Sequence, residues 1–420
     1  MSSISSAAAN PAAYGPWAIA AAGAIGLATA MGIGRFAFTP LMPMMLHDGV
    51  IDLAGASWLA SANYLGYLLG AVLCTLQPWL WRRLGNPPPP DAARMVRAGL
   101  VATTLLTLAM ALPWPALWPV LRFAAGVASA FVFVYISGWC LAQLARRGRA
   151  ALGGMIYVGP GTGIVLSGLI AGGVVAADGD ARLGWLVFGA LAAALTACVR
   201  PVLLRGELPV AAAAQATAGQ PAASARASAG EVALLAAGYG CAGFGYIITA
   251  TFLPVIARAA LPASPWLDLF WPIFGLGVIV GAMATTRASL AGDMRRLLAL
   301  CHAVQAAGVL TSLLSPSLPG FVLGSLLLGL PFTAITYFAM QEVRRLRPAS
   351  AASTMGLMTA LYGIGQVLGP PLVAGLIAWS GSPARGFTLA LAVAAATLLL
   401  GAALYLLGMR RYPKAKAVAP

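Results

Sequence analysis

Hydrophobic residues fall along this chain in long runs, not in the short alternations of a half-buried strand or the narrow stripe of a surface helix. Twelve runs stand out, near 17–46, 55–80, 96–113, 116–143, 150–177, 182–203, 231–259, 265–286, 295–314, 319–342, 350–379 and 385–408. Most reach the roughly 20 residues that a helix needs to cross the hydrocarbon core of a bilayer. Such a run must satisfy its own backbone in lipid, which a helix does unaided. The pattern predicts an all-α polytopic membrane protein with twelve transmembrane helices.

Composition agrees: 60% of the 420 residues are hydrophobic, 8% are charged, and the mean hydropathy is +0.88. A soluble domain carries about 25% charged residues. The net charge of +15 would suggest nucleic acid in a soluble chain, but here its placement matters more. With the N-terminus inside, Arg82, Arg83, Arg94, Arg97, Arg146, Arg147, Arg149, Arg200, Arg205, Arg226, Arg287, Arg295, Arg296, Arg344, Arg345, Arg347, Arg410, Arg411, Lys414 and Lys416 all fall in cytoplasmic segments. Only Arg35, Arg122, Arg182, Arg258 and Arg385 do not. The bias follows the positive-inside rule and sets both termini in the cytoplasm, so no nucleic-acid partner is expected. Residues 1–16 lack a basic leader, and no cleavable signal is expected. Arginine is used far more than lysine and alanine is abundant, a coding bias of GC-rich bacteria, which points to a bacterial inner membrane. Five scattered cysteines and two distant histidines offer packing thiols and no metal-site pattern.

The chain repeats itself. A shift of 211 residues lays Gly32, Gly34, Arg35 and Pro43 on Gly243, Gly245, Tyr246 and Pro254, and Gly66 and Gly70 on Gly277 and Gly281. Later the shift becomes 198, laying Gly126 on Gly324, Gln143 on Gln341 and Arg146 on Arg344. Two copies of a six-helix unit follow, and an even number of crossings makes the repeat parallel. The expected organisation is a tail (1–16), a six-helix bundle (17–203), a flexible cytoplasmic linker rich in Ala, Ser, Gly and Gln (204–230), a second bundle (231–408) and a tail (409–420).

Two parallel six-helix halves resemble the major facilitator superfamily. Arg122-xxx-Gly126 is similar to its span 4 motif, and Gly159-Pro160-Gly161 and Gly365-xxx-Gly369-Pro370 resemble its glycine–proline motifs. The resemblance implies coupling or gating roles for Arg122, Gly159, Pro160, Gly369 and Pro370. It also implies transport of a small-molecule substrate by a monomer in lipid, without a cofactor. The loop Gln77 to Gly85 departs from the family pattern by lacking its acidic residue. At subfamily level, GIGRFAFTPLMPMM and ASWLASANYLGYLLGA are similar to YbfB/YjiJ-type transporters.

Candidate chemistry lies in the polar groups within the spans. An arginine near a helix centre costs about 2.5–3.5 kcal/mol on insertion scales. Arg35 has no acidic neighbour in sequence. It either snorkels or bonds carbonyls freed by Pro40 and Pro43, or it lines a central cavity and binds an anionic substrate group. Thr39, Asn63, Tyr157, Tyr246, Tyr337 and Gln366 complete the candidate substrate site, although such polar groups within spans are more often helix–helix hydrogen bonds than ligand contacts. All ten acids fall in loops or near span ends, Asp268 and Glu342 deepest, so a buried proton-carrying carboxylate is not evident. The expected function is secondary transport of a small organic solute, best an organic anion, by alternating access; export of hydrophobic or drug-like compounds is the alternative. A membrane enzyme would need clustered acids, a histidine pair or a metal set, and the sequence carries none.

Overall fold

The computed structural model describes residues 14–85, 91–205, 228–286 and 292–413. Most of the expected linker and of both tails lies outside them. Among the described residues, twelve helices are long and apolar enough to cross a membrane. They are span 1 (Pro16–His47), span 2 (Leu53–Gln77), span 3 (Ala92–Ala109), span 4 (Pro115–Arg146), span 5 (Ala151–Ala176) and span 6 (Ala181–Leu204). The second six are span 7 (Ala229–Ala260), span 8 (Pro265–Thr285), span 9 (Met294–Leu314), span 10 (Leu318–Leu346), span 11 (Ser353–Ser380) and span 12 (Pro383–Arg411).

The few acids near span ends start helices. Asp52, Asp91 and Asp293 accept hydrogen bonds from the first free amides of spans 2, 3 and 9. Ser228 and Ser317 do the same for spans 7 and 10. Each cap satisfies a donor that the helix cannot satisfy itself.

Packing repeats with a period of six spans. In the first half, span 2 packs on span 4, span 3 on spans 4 and 6, and span 1 on spans 5 and 6. In the second half, span 8 packs on span 10, span 9 on spans 10 and 12, and span 7 on spans 11 and 12. The halves meet where span 2 packs on span 11, span 5 on span 8, and the Phe38–His47 segment of span 1 on span 7. Exchanging the halves maps each of these contacts onto another or onto itself, which is the signature of a parallel repeat with a pseudo-twofold axis.

One register in the expected repeat is corrected by the neighbours. A Cβ at Gly126 would collide with the Asn63 carbonyl and lie 2.7 Å from the Tyr67 nitrogen. The counterpart in span 10 is Gly329, not Gly324: its Cβ would collide with the Phe274 carbonyl and lie 3.1 Å from the Val278 nitrogen. Phe274 and Val278 are Asn63 and Tyr67 shifted by 211. Gly324 packs instead on Gly308 and Ser312 of span 9. The helix of span 10 breaks after Gly329 and resumes at Phe332, so a single shift read along the sequence cannot hold across it.

Candidate functional site

Span 1 is not one helix. It runs as α-helix over Pro16–Leu27, widens to a π-helix over Ala28–Ile33, and resumes as α-helix at Phe38. The widening shows in the amides of Gly34 and Phe36, which donate to the carbonyls of Thr29 and Met31, five residues back. Pro40 has no N–H to give the Phe36 carbonyl, and the Thr39 amide takes that role at 3.1 Å. The Arg35 carbonyl thereby loses its usual donor. Arg122 of span 4 supplies it: Nη2 donates to the Arg35 carbonyl at 3.0 Å and Nη1 to that of Gly34 at 3.2 Å. Asn63 of span 2 donates to the Arg122 carbonyl at 2.8 Å, tying spans 1, 2 and 4 at one level. Arg122, not the Arg35 side chain, satisfies the Gly34 and Arg35 carbonyls at this break.

The Arg35 side chain is thus left for another purpose. Arg35 is 3% exposed, and its guanidinium lies 4.1 Å from the ring centre of Tyr67 and 5.2 Å from those of Tyr64 and Phe36. Its Nη2 donates to Oε1 of Gln366 in span 11 at 2.6 Å, across the boundary between the halves. The Gln366 amide nitrogen donates in turn to the Tyr246 hydroxyl of span 7. Residues 35 and 246, paired by the repeat, are therefore joined through one glutamine. Three more bonds cross the boundary nearby: Tyr64 with Thr251 at 2.8 Å, Thr39 to the Ala250 carbonyl at 3.4 Å, and Ser61 to the Val367 carbonyl at 3.0 Å. Every one of these links is neutral on the second-half side. The Nε of Arg35 has no hydrogen-bond partner among the described residues.

A family model described as an uncharacterised MFS-type transporter, YbfB, matches residues 27–406. The chain belongs to this family of major facilitator superfamily transporters. No curated protein matches it in sequence. Among solved structures it is similar to a mutant form of the nucleoside transporter NupG, at 15% identity and a TM-score of 0.70, over 93% of this chain and 99% of that one. It is also similar to the human organic anion transporter MFSD10, at 15% identity and a TM-score of 0.61, over 94% of this chain and 100% of that one. At such identity the likeness establishes the fold.

In this YbfB-type transporter the remaining candidates separate. Thr39, Asn63, Tyr246 and Gln366 belong to the network around Arg35 and Arg122. Tyr157 packs on Phe133 and Tyr337 on Phe338, both half-buried and outside that network. Gly159 lets span 5 approach span 1, since a Cβ there would lie 2.9 Å from the Ala24 carbonyl carbon. Gly369 does the same for spans 11 and 7, with Ile247 2.6 Å from its Cβ position. Pro160 and Pro370 follow these glycines in buried positions. Asp268 pairs with Arg258 at one end of span 8, and Glu342 is buried at the far end of span 10 beside Arg345 and Arg295. Sequence reasoning missed Tyr64, Thr251 and Phe332, which look like ordinary span residues until the two halves are brought together.

Proposed function

We propose that this membrane protein is a secondary active transporter that carries a small organic anion across a bacterial inner membrane by alternating access, with both termini in the cytoplasm. The observation that carries the reading is Arg35. It is buried at the boundary between the halves and meets no carboxylate among the described residues. A buried guanidinium without a counter-charge is costly, and an anionic group from the substrate would offset that cost with charge-assisted bonds. Gln366 accepts one bond from this guanidinium, and its neutral amide leaves the charge uncompensated. Arginine-rich loops at one face support the orientation. Transport of organic solutes also agrees with the nucleoside and organic anion carriers among the structural neighbours.

The test is binding by the purified chain, then uptake in vesicles. Organic carboxylates and sulfonates should raise its melting temperature where sugars and amines do not. Arg35→Gln should weaken that binding about tenfold or more, since a hydrogen bond to a charged group contributes about 1.5–3 kcal/mol. Arg35→Lys, which keeps the charge and loses the planar fork, should fall between. If cationic or neutral drug-like compounds stabilise the protein equally well with or without Arg35, the exporter reading replaces this one.

Alternating access has its own measurement. Thr39 donates to the Ala250 carbonyl, next in sequence to Thr249. In a variant freed of its native cysteines, Thr39→Cys with Thr249→Cys should crosslink, and a stabilising anion should change the yield at least twofold. A yield indifferent to every stabilising ligand would rule out movement of the halves at this level.

A further inference from the structure

We infer that the transported anion carries a planar aromatic ring, held by the second half while Arg35 holds its charge; this rests on the reading that Arg35 binds an anion. The two halves contribute different chemistry at the same level. The first supplies the guanidinium, stacked on Tyr67. The second supplies no cation there among the described residues, but a set of rings. A Cβ at Gly243 would lie 2.8 Å from the Tyr362 Cα, so glycine at 243 lets span 11 press close to span 7. That approach sets Tyr362 beside Tyr239 and Tyr246, at centroid distances of 4.7 and 5.7 Å and interplanar angles of 30° and 24°.

Phe332 joins from span 10, where the helix resumes after its break. It meets Tyr246 edge-on at 5.1 Å and Phe36 at 6.0 Å. The rings differ in burial, and the ligand's ring is assigned to the partly exposed ones. Tyr239, Tyr246 and Phe36 are buried, whereas Tyr362, Phe332 and Tyr67 each keep part of their surface exposed. Beside Phe332, the buried hydroxyl of Thr333 has no hydrogen-bond partner among the described residues. An aliphatic acid of the same size could engage the guanidinium but would make no aromatic contact with the surface that Tyr362 and Phe332 keep exposed. A flat ring uses both, and so ties the two halves together through one molecule.

Three probes separate the contributions: phenylacetate, its saturated counterpart cyclohexylacetate, and neutral 2-phenylethanol. Titration calorimetry on the purified full-length protein should show phenylacetate binding about threefold to tenfold tighter than cyclohexylacetate, the range that aromatic pairing provides beyond buried area. Tyr362→Leu and Phe332→Leu should each shrink that ratio toward one while cyclohexylacetate still binds, which also shows that the variants are folded. Tyr362→Phe should keep the ratio. Equal affinity for the two acids in the unmodified protein would overturn the ring inference and leave Arg35 as an anion site. If 2-phenylethanol binds as tightly as phenylacetate and ignores Arg35→Gln, the anion reading itself fails. If neither phenylacetate nor any larger aromatic carboxylate binds, the ring inference is wrong.

Discussion

Arg295→Met should lower the melting temperature of the detergent-solubilised protein steeply, because one guanidinium holds the base of the second half together. Arg295, 2% exposed, donates from Nη1 to Glu231 of span 7 at 2.9 Å and to the Gly408 carbonyl of span 12 at 3.2 Å. Its Nη2 and Nε reach both oxygens of Asp293, and Nε lies 3.7 Å from Glu342 of span 10. Removing it leaves three carboxylates close together, Glu342 fully buried, with Arg345 still paired to Glu342. Breaking a buried pair from one side costs about 3–5 kcal/mol, because the abandoned charge stays desolvated. Arg295→Met with Glu231→Gln should recover part of the loss, since one of the three mutually repelling carboxylates is then gone. The comparison is Arg258→Ala at the opposite end, where side-chain exposures of 31% and 24% for Arg258 and Asp268 put the pair partly in solvent. That change should cost about 0–1 kcal/mol. Melting curves that place Arg295→Met beside Arg258→Ala would show that the cluster contributes little.

The second large effect is expected at Arg122. Arg122→Leu removes both donors to the Gly34 and Arg35 carbonyls and leaves them buried at the π-helical break of span 1. With about 1.5–3 kcal/mol for each bond to a charged group, the loss is about 3–6 kcal/mol. Arg122→Lys has one ammonium for two carbonyls and should recover about half of it. Anion binding should weaken in the same variant although Arg122 touches no ligand, because the carbonyl it holds belongs to Arg35. A leucine variant that melts and binds like the parent would mean that the break in span 1 is held by something other than Arg122.

The membrane class, the span count, the parallel repeat and the weak point in span 1 were all legible along the chain. Insertion into a bilayer is decided segment by segment, so roughly 20 apolar residues and a nearby arginine act locally, wherever the segment later packs. Pro40 disrupts its helix for an equally local reason, the lack of an N–H. What the chain could not show was which arginine repairs the break. Arg35, close to the prolines in sequence, suited the freed carbonyls, while the family motif pointed Arg122 toward coupling or gating. The choice follows from span 4 lying against span 1 at Gly34, a matter of helix packing.

The same holds for the partners of Arg35. Gln366 lies 331 residues away in sequence, and its single amide reaches both Arg35 and Tyr246 only because span 2 packs on span 11 and span 7 on span 11. Gly324 matched Gly126 by spacing, yet Gly329 makes the equivalent contact because span 10 breaks beside it. Periodicity and hydropathy are sums over neighbours in the chain and survive any packing. Hydrogen bonds and ring contacts depend on distances of a few ångströms between helices, which are set when the two halves close on each other.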